Sequence, residues 1–250
     1  MPAKVRADEL AVELGLAGDV ARARAMIMAG LVVATWPSGQ EHKVEKAGDM
    51  LPVGSTLRRA GEDREFVSRA GGKLDGALDA FGIDVGGRVC ADIGISTGGF
   101  TDCLFRRGAL RVHGVDVSYV QVAWKIRSDP RVVLHERTNA RLLPPRAFGE
   151  NVSFLVADVS FISLAAILPA LVEQLEPRTE MVLLVKPQFE LEREAVGEGG
   201  IVRDPALRRA AVDRVLAAAT TLGLATAGDV ESSVPGRDGN IEHLVHLVRT

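Results

Sequence analysis

Val89-Cys90-Ala91-Asp92-Ile93-Gly94-Ile95-Ser96-Thr97-Gly98-Gly99-Phe100 is the stretch from which the fold is read. Five mainly apolar residues run into a glycine-rich turn, and the turn opens a segment, 99–107, with helical character. A strand that turns on glycine into a helix brings backbone N–H groups close to a ligand. Glycine leaves room for the approach, and the first helical turn has unpaired donors. A second acid, Asp116, closes the next apolar run 24 residues after Asp92, where a Rossmann-type site holds the ribose hydroxyls of a nucleoside. No lysine follows Gly98-Gly99, so the turn is not a P-loop, and Asp92 ahead of the first glycine disfavours a pyrophosphate. S-adenosylmethionine, which has no phosphate, suits this turn better than a dinucleotide.

Outward from this turn, apolar runs and helical segments alternate. Strands are expected at 88–93, 112–117, 131–134, 152–158 and 181–186, with helices at 99–107, 120–127, 161–175 and 205–222. Two further strands, 226–232 and 242–247, complete the pattern. Such alternation predicts an α/β fold, a Rossmann-like domain with a mainly parallel seven-stranded sheet covered on both faces.

Ahead of it lies a different pattern. Leu10, Val12 and Leu14 sit among charges; Asp19 is placed to cap a second helix carrying Ala23, Met26, Ile27 and Leu31. Short strands follow at 31–34, around 43–44 and at 55–57, with a turn at Pro37-Ser38-Gly39. Residues 1–60 are therefore expected to form a small α+β module. Residues 61–67 read as a linker, polar from Gly61 to Glu65 with Phe66 and Val67 as an apolar anchor, and 68–250 as the larger domain.

Composition narrows the function. A chain of 250 residues, 47% hydrophobic, can bury one large and one small core. A net charge of -3 argues against a protein that coats nucleic acid without specificity, so RNA contact must come from local patches. No run approaches the length of a membrane span, and the first segment lacks the apolar block of a signal peptide, which predicts a cytoplasmic protein. Cys90 and Cys103 lie in apolar surroundings without metal-ligand spacing and read as buried, reduced thiols.

Four charged residues stand where such a domain gathers its chemistry. Asp158 closes Phe154-Leu155-Val156-Ala157, Lys186 closes Val182-Leu183-Leu184-Val185, Glu242 follows a turn at Asp238-Gly239-Asn240, and Lys73 follows Gly71-Gly72. Each alone could be a solvated edge residue. Together they suit attack of a hydroxyl on a sulfonium methyl, which needs a base or a field that eases removal of the hydroxyl proton. Lysine is protonated near neutrality, so a basic Lys186 requires burial or a neighbouring cation such as Lys73, while Asp158 and Glu242 act in the opposite sense. Lys186 is assigned as base or hydroxyl activator, with Asp158 orienting it and Lys73 and Glu242 setting field and geometry.

The segments Ser68-Arg69-Ala70-Gly71-Gly72-Lys73-Leu74, Ser96-Thr97-Gly98-Gly99-Phe100-Thr101, Glu136-Arg137-Thr138-Asn139-Ala140-Arg141, Asp158-Val159-Ser160-Phe161-Ile162-Ser163-Leu164, Lys186-Pro187-Gln188-Phe189-Glu190 and Gly239-Asn240-Ile241-Glu242 occur in one order. In this the chain closely resembles the TlyA, or hemolysin A-like, family of ribosomal RNA 2'-O-methyltransferases. The resemblance implies an FtsJ-like catalytic tetrad at Lys73, Asp158, Lys186 and Glu242, with cytidine as the nucleoside and ribosomal RNA or ribosomal subunits as partners. It also implies contacts to S-adenosyl-L-methionine from Asp92, Gly94, Ser96, Thr97, Gly98, Asp116, Val117, Asn139 and Asp158. The first module is similar to the S-four-like RNA-binding domain at Arg6, Asp8, Leu10, Arg22-Ala23-Arg24-Ala25, Ile27 and Gly30-Leu31-Val32, which makes Arg6, Arg22 and Arg24 candidate phosphate contacts. Asp19 stands where related modules often carry serine, and the acid in Arg64-Glu65-Phe66-Val67 is a second departure. Rival readings are a membrane-active hemolysin, a small-molecule methyltransferase and a noncatalytic ribosome-assembly factor. The first would need an exposed amphipathic or spanning segment, the second no RNA module, and the third no tetrad.

Overall fold

A computed structural model describes residues 4–37, 40–60, 66–119, 122–236 and 239–250, and the chain divides into two compact units, Met1–Arg64 and Glu65–Thr250. Residues 61–65 of the expected linker, with Ser38, Gly39, Val120 and Asp238, lie outside the described residues. Phe66 is buried in the core of the second unit, and Val67 N donates to Asp102 Oδ2 at 2.9 Å, so both belong structurally to that unit.

The first unit contains β1 (Lys4–Arg6), α1 (Ala7–Glu13), α2 (Val20–Met28), β2 (Val32–Thr35), β3 (Glu41–Lys43), β4 (Met50–Pro52) and β5 (Thr56–Arg59). Asp19 caps α2 by accepting from Arg22 N at 2.7 Å. An antiparallel sheet in the order β3-β2-β5 packs on the helices through Ala7, Leu10, Ile27, Val32 and Ala34. The pair β1–β4 was not expected from sequence. Each is three residues long, too short for a period to show.

The second unit begins with α3 (Ala70–Phe81) and β6 (Val89–Ile93), followed by α4 (Gly99–Arg106), β7 (Arg111–Val115), α5 (Trp124–Arg127), β8 (Val132–His135), β9 (Val152–Ala157) and α6 (Leu164–Val172). It ends with β10 (Leu175–Val185), α7 (Pro187–Glu190), α8 (Pro205–Thr221), β11 (Leu224–Glu231) and β12 (His243–Arg249). Seven strands form one sheet in the order β11-β12-β10-β9-β6-β7-β8, parallel from β10 to β8 and antiparallel at β12 and β11. Alternation along β9 divides its side chains between two cores: Phe154 and Val156 face the layer of α3 and α4, while Leu155 and Ala157 face that of α6 and α8.

Three boundaries differ from expectation for physical reasons. Helix α6 starts at Leu164 rather than 161, because Phe161 sits at φ 66 and Ser163 supplies the cap by accepting from Ala165 N. Helix α5 starts at Trp124 because Ala123 is extended at ψ 137. Strand β10 begins at Leu175, where Glu176-Pro177-Arg178-Thr179-Glu180 hides an extension paired to β9 at Leu175 and Glu180.

Cys90 and Cys103 are both fully buried, and burial pushes the Cys90 thiol up to about 12 and Cys103 above the ordinary thiol range. In the folded protein at mildly alkaline pH both should react with a disulfide reagent about 100-fold or more slowly than in denaturant, where two thiols titrate. Rapid labelling of either in the native state would contradict this packing.

Candidate active site

Sheet polarity gathers the site. Strands β6, β7, β9 and β10 run parallel, so their carboxyl ends share one edge, and antiparallel β12 brings its amino end there. Asp158 follows β9, Lys186 follows β10 and Glu242 precedes β12; Val185 pairs with His243, which sets Lys186 and Glu242 at neighbouring positions. The amino end of α3, carrying Lys73, reaches the same edge: a Cβ on Gly99 would come within 2.1 Å of Ser68 Oγ and 3.1 Å of Gly71 N.

The four charges form two ion pairs. Lys73 and Glu242 are both buried and in direct contact. Lys186 Nζ lies 2.6 Å from Asp158 Oδ1, a contact made by distance and charge more than by hydrogen-bond direction, and donates to Ser160 Oγ at 2.8 Å. Sequence alone allowed Lys73 to act on Lys186 as a neighbouring cation. The structure gives each lysine a carboxylate partner, so charge taken out of water is compensated locally.

A cavity of about 530 Å³ opens beside Asp158, within the size range of small-molecule sites. Gly94, Ser96, Asp116, Val117, Asn139 and Asp158 line it. A recess of about 60 Å³, lined by Asp92 and Thr97 among others, shares Gly94, Ser96 and Asp158 with it. Gly98 lines neither. Its φ of 93 opens α4, and a Cβ there would meet Ile126 at 3.1 Å. Gly94, at φ 84, has a positional role too, since a Cβ would lie 2.5 Å from the Asp158 carbonyl and force the two strand ends apart.

Asp116 sits just past β7. Its carboxylate accepts from Ser96 N and from Ser118 N and Oγ at 3.0–3.1 Å, which fixes the turn on both sides of the cavity. Asn139 Oδ1 accepts from Arg141 N at 3.0 Å. Asp92 accepts from Thr101 Oγ1 at 2.7 Å, while its other oxygen, buried, has no partner among the described residues. Burial pushes Asp92 up to about 7, opposed by the Thr101 hydrogen bond and reinforced by the charges of Asp158 and Asp116. No described lining residue of either cavity is Lys or Arg, and three are Asp. This donor set suits a nucleoside ligand that carries positive charge and no phosphate, which is the chemistry of a sulfonium amino acid joined to adenosine.

Sequence reasoning about individual roles passed over Ser118, Thr138, Ser160 and Phe161, which also line the large cavity. Phe161 is 91% exposed at a positive φ, its ring 5.4 Å from that of Phe189. An exposed phenylalanine in the left-handed region leaves no periodic trace in sequence.

In the first unit, Arg6 and Arg24 converge on buried Asp8. Arg6 Nε donates to Oδ1 at 3.0 Å and Nη2 to Oδ2 at 2.8 Å; Arg24 Nε donates to Oδ2 at 3.0 Å. Hydrogen bonds from Arg6, with that from Arg24, hold the Asp8 carboxyl well below the usual carboxylate range. Arg22 lies on the same helix, α2, and is exposed.

Residues 66–249 match the model of the FtsJ-like methyltransferases. The chain is 45% identical over 248 residues to the 16S/23S rRNA (cytidine-2'-O)-methyltransferase TlyA of Mycobacterium tuberculosis, covering 99% of this chain and 91% of that protein. It is 44% identical over 245 residues to YqxC of Bacillus subtilis, covering 98% and 85% of the two chains. A solved structure from Streptococcus thermophilus that bears the name of a hemolysin is 41% identical, with a TM-score of 0.74 over 100% of this chain and 90% of that one.

Two expectations follow from the carboxylates. Asp92 prefers its protonated form in the folded state more than in the unfolded chain, so the folded state binds more protons between the ordinary aspartate range and about 7, and stability falls as pH rises through that window. Asp92→Asn should therefore melt higher than wild type above neutrality, with the gap closing as pH falls toward about 4. Equal melting curves at every pH would remove the shift. Asp8 has the opposite sign: its contribution is present above its unfolded pKa and lost as pH falls through the depressed one. Asp8→Asn should lower Tm by a few degrees at neutral pH, and a loss that persists undiminished in strong acid would contradict the charge origin.

Proposed function

The chain belongs to the FtsJ-like methyltransferase family and to the TlyA group within it, and on that premise we propose that it transfers a methyl group from S-adenosylmethionine to the ribose 2'-hydroxyl of a cytidine in ribosomal RNA. The observation that carries the reading is the placement of two lysine–carboxylate pairs, Lys186–Asp158 and Lys73–Glu242, at the strand edge that also bears the nucleoside-sized cavity. S-adenosylmethionine, when bound, supplies an electrophilic methyl on a sulfonium centre. Asp116 is placed for ribose hydroxyls, and the unpartnered oxygen of Asp92 for an ammonium.

The chain's own residues then have distinct tasks. Lys186, held between Asp158 and Ser160, directs an N–H toward the attacking ribose oxygen and orients it. Of the two roles that sequence left to Lys186, base or hydroxyl activator, its ion pair with Asp158 favours the second, so the proton that the oxygen loses as it gains the methyl carbon goes to the Asp158 carboxylate, read from sequence only as orienting Lys186, and on to solvent. Lys73 and Glu242, buried together, hold the edge rigid and keep its charge balanced. The first unit is the RNA-binding module, with Arg6, Arg22 and Arg24 on backbone phosphates. The hemolysin name of one relative suggests membrane action; no helix among the described residues is long and apolar enough to cross a membrane.

The test is transfer of labelled methyl from S-adenosylmethionine to unmodified ribosomal RNA and to ribosomal subunits, with nuclease mapping of the product. Label should appear on a ribose 2'-oxygen. Lys186→Ala should lower turnover by about 100-fold or more while cofactor binding and folding persist. Unreduced turnover in the variant would remove Lys186 from the mechanism. Cofactor binding without label on any RNA would overturn the proposed substrate.

A further inference from the structure

We infer that Glu190 is a positioning residue for methyl transfer, a buried clamp that ties the loop bearing Asp158 to the turn bearing Lys186. The inference rests on the reading of Lys186 and Asp158 as the pair at the reacting centre. Glu190 is the last residue of α7, four positions beyond Lys186, and is almost fully buried. Both its oxygens are spent on the far end of the opposite loop: Ser163 Oγ donates to Oε2 at 2.5 Å and Leu164 N donates to Oε1 at 2.7 Å. Its main chain is anchored independently, since Arg214 Nη1 donates to the Glu190 carbonyl at 2.8 Å.

The loop between β9 and α6 is thus held at two points by one short turn. Lys186 grips its start through Asp158 and Ser160; Glu190 grips its end through Ser163 and Leu164. Between the two grips lie Phe161 and Ile162, which with Val159 and Ser160 form a wall of the cavity, and Phe161 is held at φ 66. A bulky residue keeps its backbone in that region only where its surroundings over-determine it. The clamp also has a cost. Among the described residues no cation bonds to the Glu190 carboxylate, and burial pushes its pKa upward, opposed by the Ser163 hydroxyl, the Leu164 amide, the nearby charge of Arg214 and the amino-terminal dipole of α6. An apolar residue could fill the space without that cost. What it could not do is fix the distance between the loop end and the turn.

Removing the clamp should therefore affect alignment more than binding or folding. Glu190→Gln retains shape and can accept from Leu164 N, but the amide nitrogen it turns to Ser163 can only donate to an oxygen that already accepts from Ala165 N, and the Ser163 proton loses its acceptor; Glu190→Ala loses both bonds. With rates expressed per cofactor-binding site, kcat should fall about 10-fold in the glutamine variant and about 100-fold in the alanine variant, the scale set by misplacement of reacting groups by about 1 Å. The KM for S-adenosylmethionine should change by less than about threefold. Hydrogen exchange of the 159–164 amides should quicken in the same order, Gln before Ala, which reports on the clamp whether or not an RNA substrate is found. Folded variants with unchanged kcat, or with unchanged exchange, would overturn the inference, as would a Gln variant no better than Ala in either readout. If alanine prevents folding, the glutamine variant decides. A wild-type protein that binds cofactor yet methylates no RNA would instead be a failure of the proposed function, with the exchange measurement still deciding the role of Glu190.

Discussion

A strand buried on both faces can place a charge only at its ends. Strands β6, β9 and β10 are covered by helices on either side, and the runs 89–91, 154–157 and 181–185 that lead toward the site are apolar. Their polarity in a parallel sheet then sends those ends to one edge. Asp158 and Lys186 are where they are because the apolar run before each can go no further without exposing the charge. The antiparallel turn into β12 adds Glu242 at the same edge, and α3, which must come down one face to feed β6, adds Lys73 from its first turn. Four residues far apart in sequence are brought to one edge by the topology of the sheet and by the helix that precedes it.

Gathering charge at a buried edge is costly, and the chain meets the cost in different ways. Glu242 is neutralised by Lys73, and Asp8 in the first unit by two arginines. Glu190 relies on a helix terminus and a hydroxyl. Asp92 differs from these: one oxygen is satisfied by Thr101 and the other is left without a partner beside two further carboxylates. A buried unpaired acceptor is a destabilising feature that folding alone would not select. Asp92 lines the recess that shares Gly94, Ser96 and Asp158 with the larger cavity, where a cationic ligand would relieve it.

The architecture could be read from sequence because its signals are periodic. The glycine turn after β6, the apolar run of β9 and the break at Lys186-Pro187 each announce a strand and its end. The four charges could be located because each closes such a run or follows a glycine pair. What could not be read was pairing. Nothing in the order of residues distinguishes a Lys73 that acts on Lys186 from one held by Glu242, since that depends on which strand lies beside β10, and β12 comes from the far end of the chain. Short elements were lost for another reason: β1 and β4 are each shorter than the window over which alternation becomes visible. Phe161 and Glu190 were quoted within motifs, yet their roles rest on a positive φ and on a contact between two loops, neither of which has a period.

The loop from Asp158 to Leu164 draws these threads together. Its start is fixed by close approach to Gly94, which allows the end of β9 to touch the glycine turn after β6, and by the grip of Lys186. Its end is fixed by the cap of α6. A loop held at one end would sample conformations in which Asp158 and Lys186 separate and the wall of the cavity moves. Held at both, it transmits the rigidity of two strands and a helix to a few atoms at the sheet edge, and the left-handed Phe161 becomes a conformation that the surroundings impose. On the proposed reading, the geometry of the sheet reaches the reacting pair through side-chain contacts as well as through strand ends, and Glu190, which takes no part in the chemistry, bears on whether Asp158 and Lys186 are aligned.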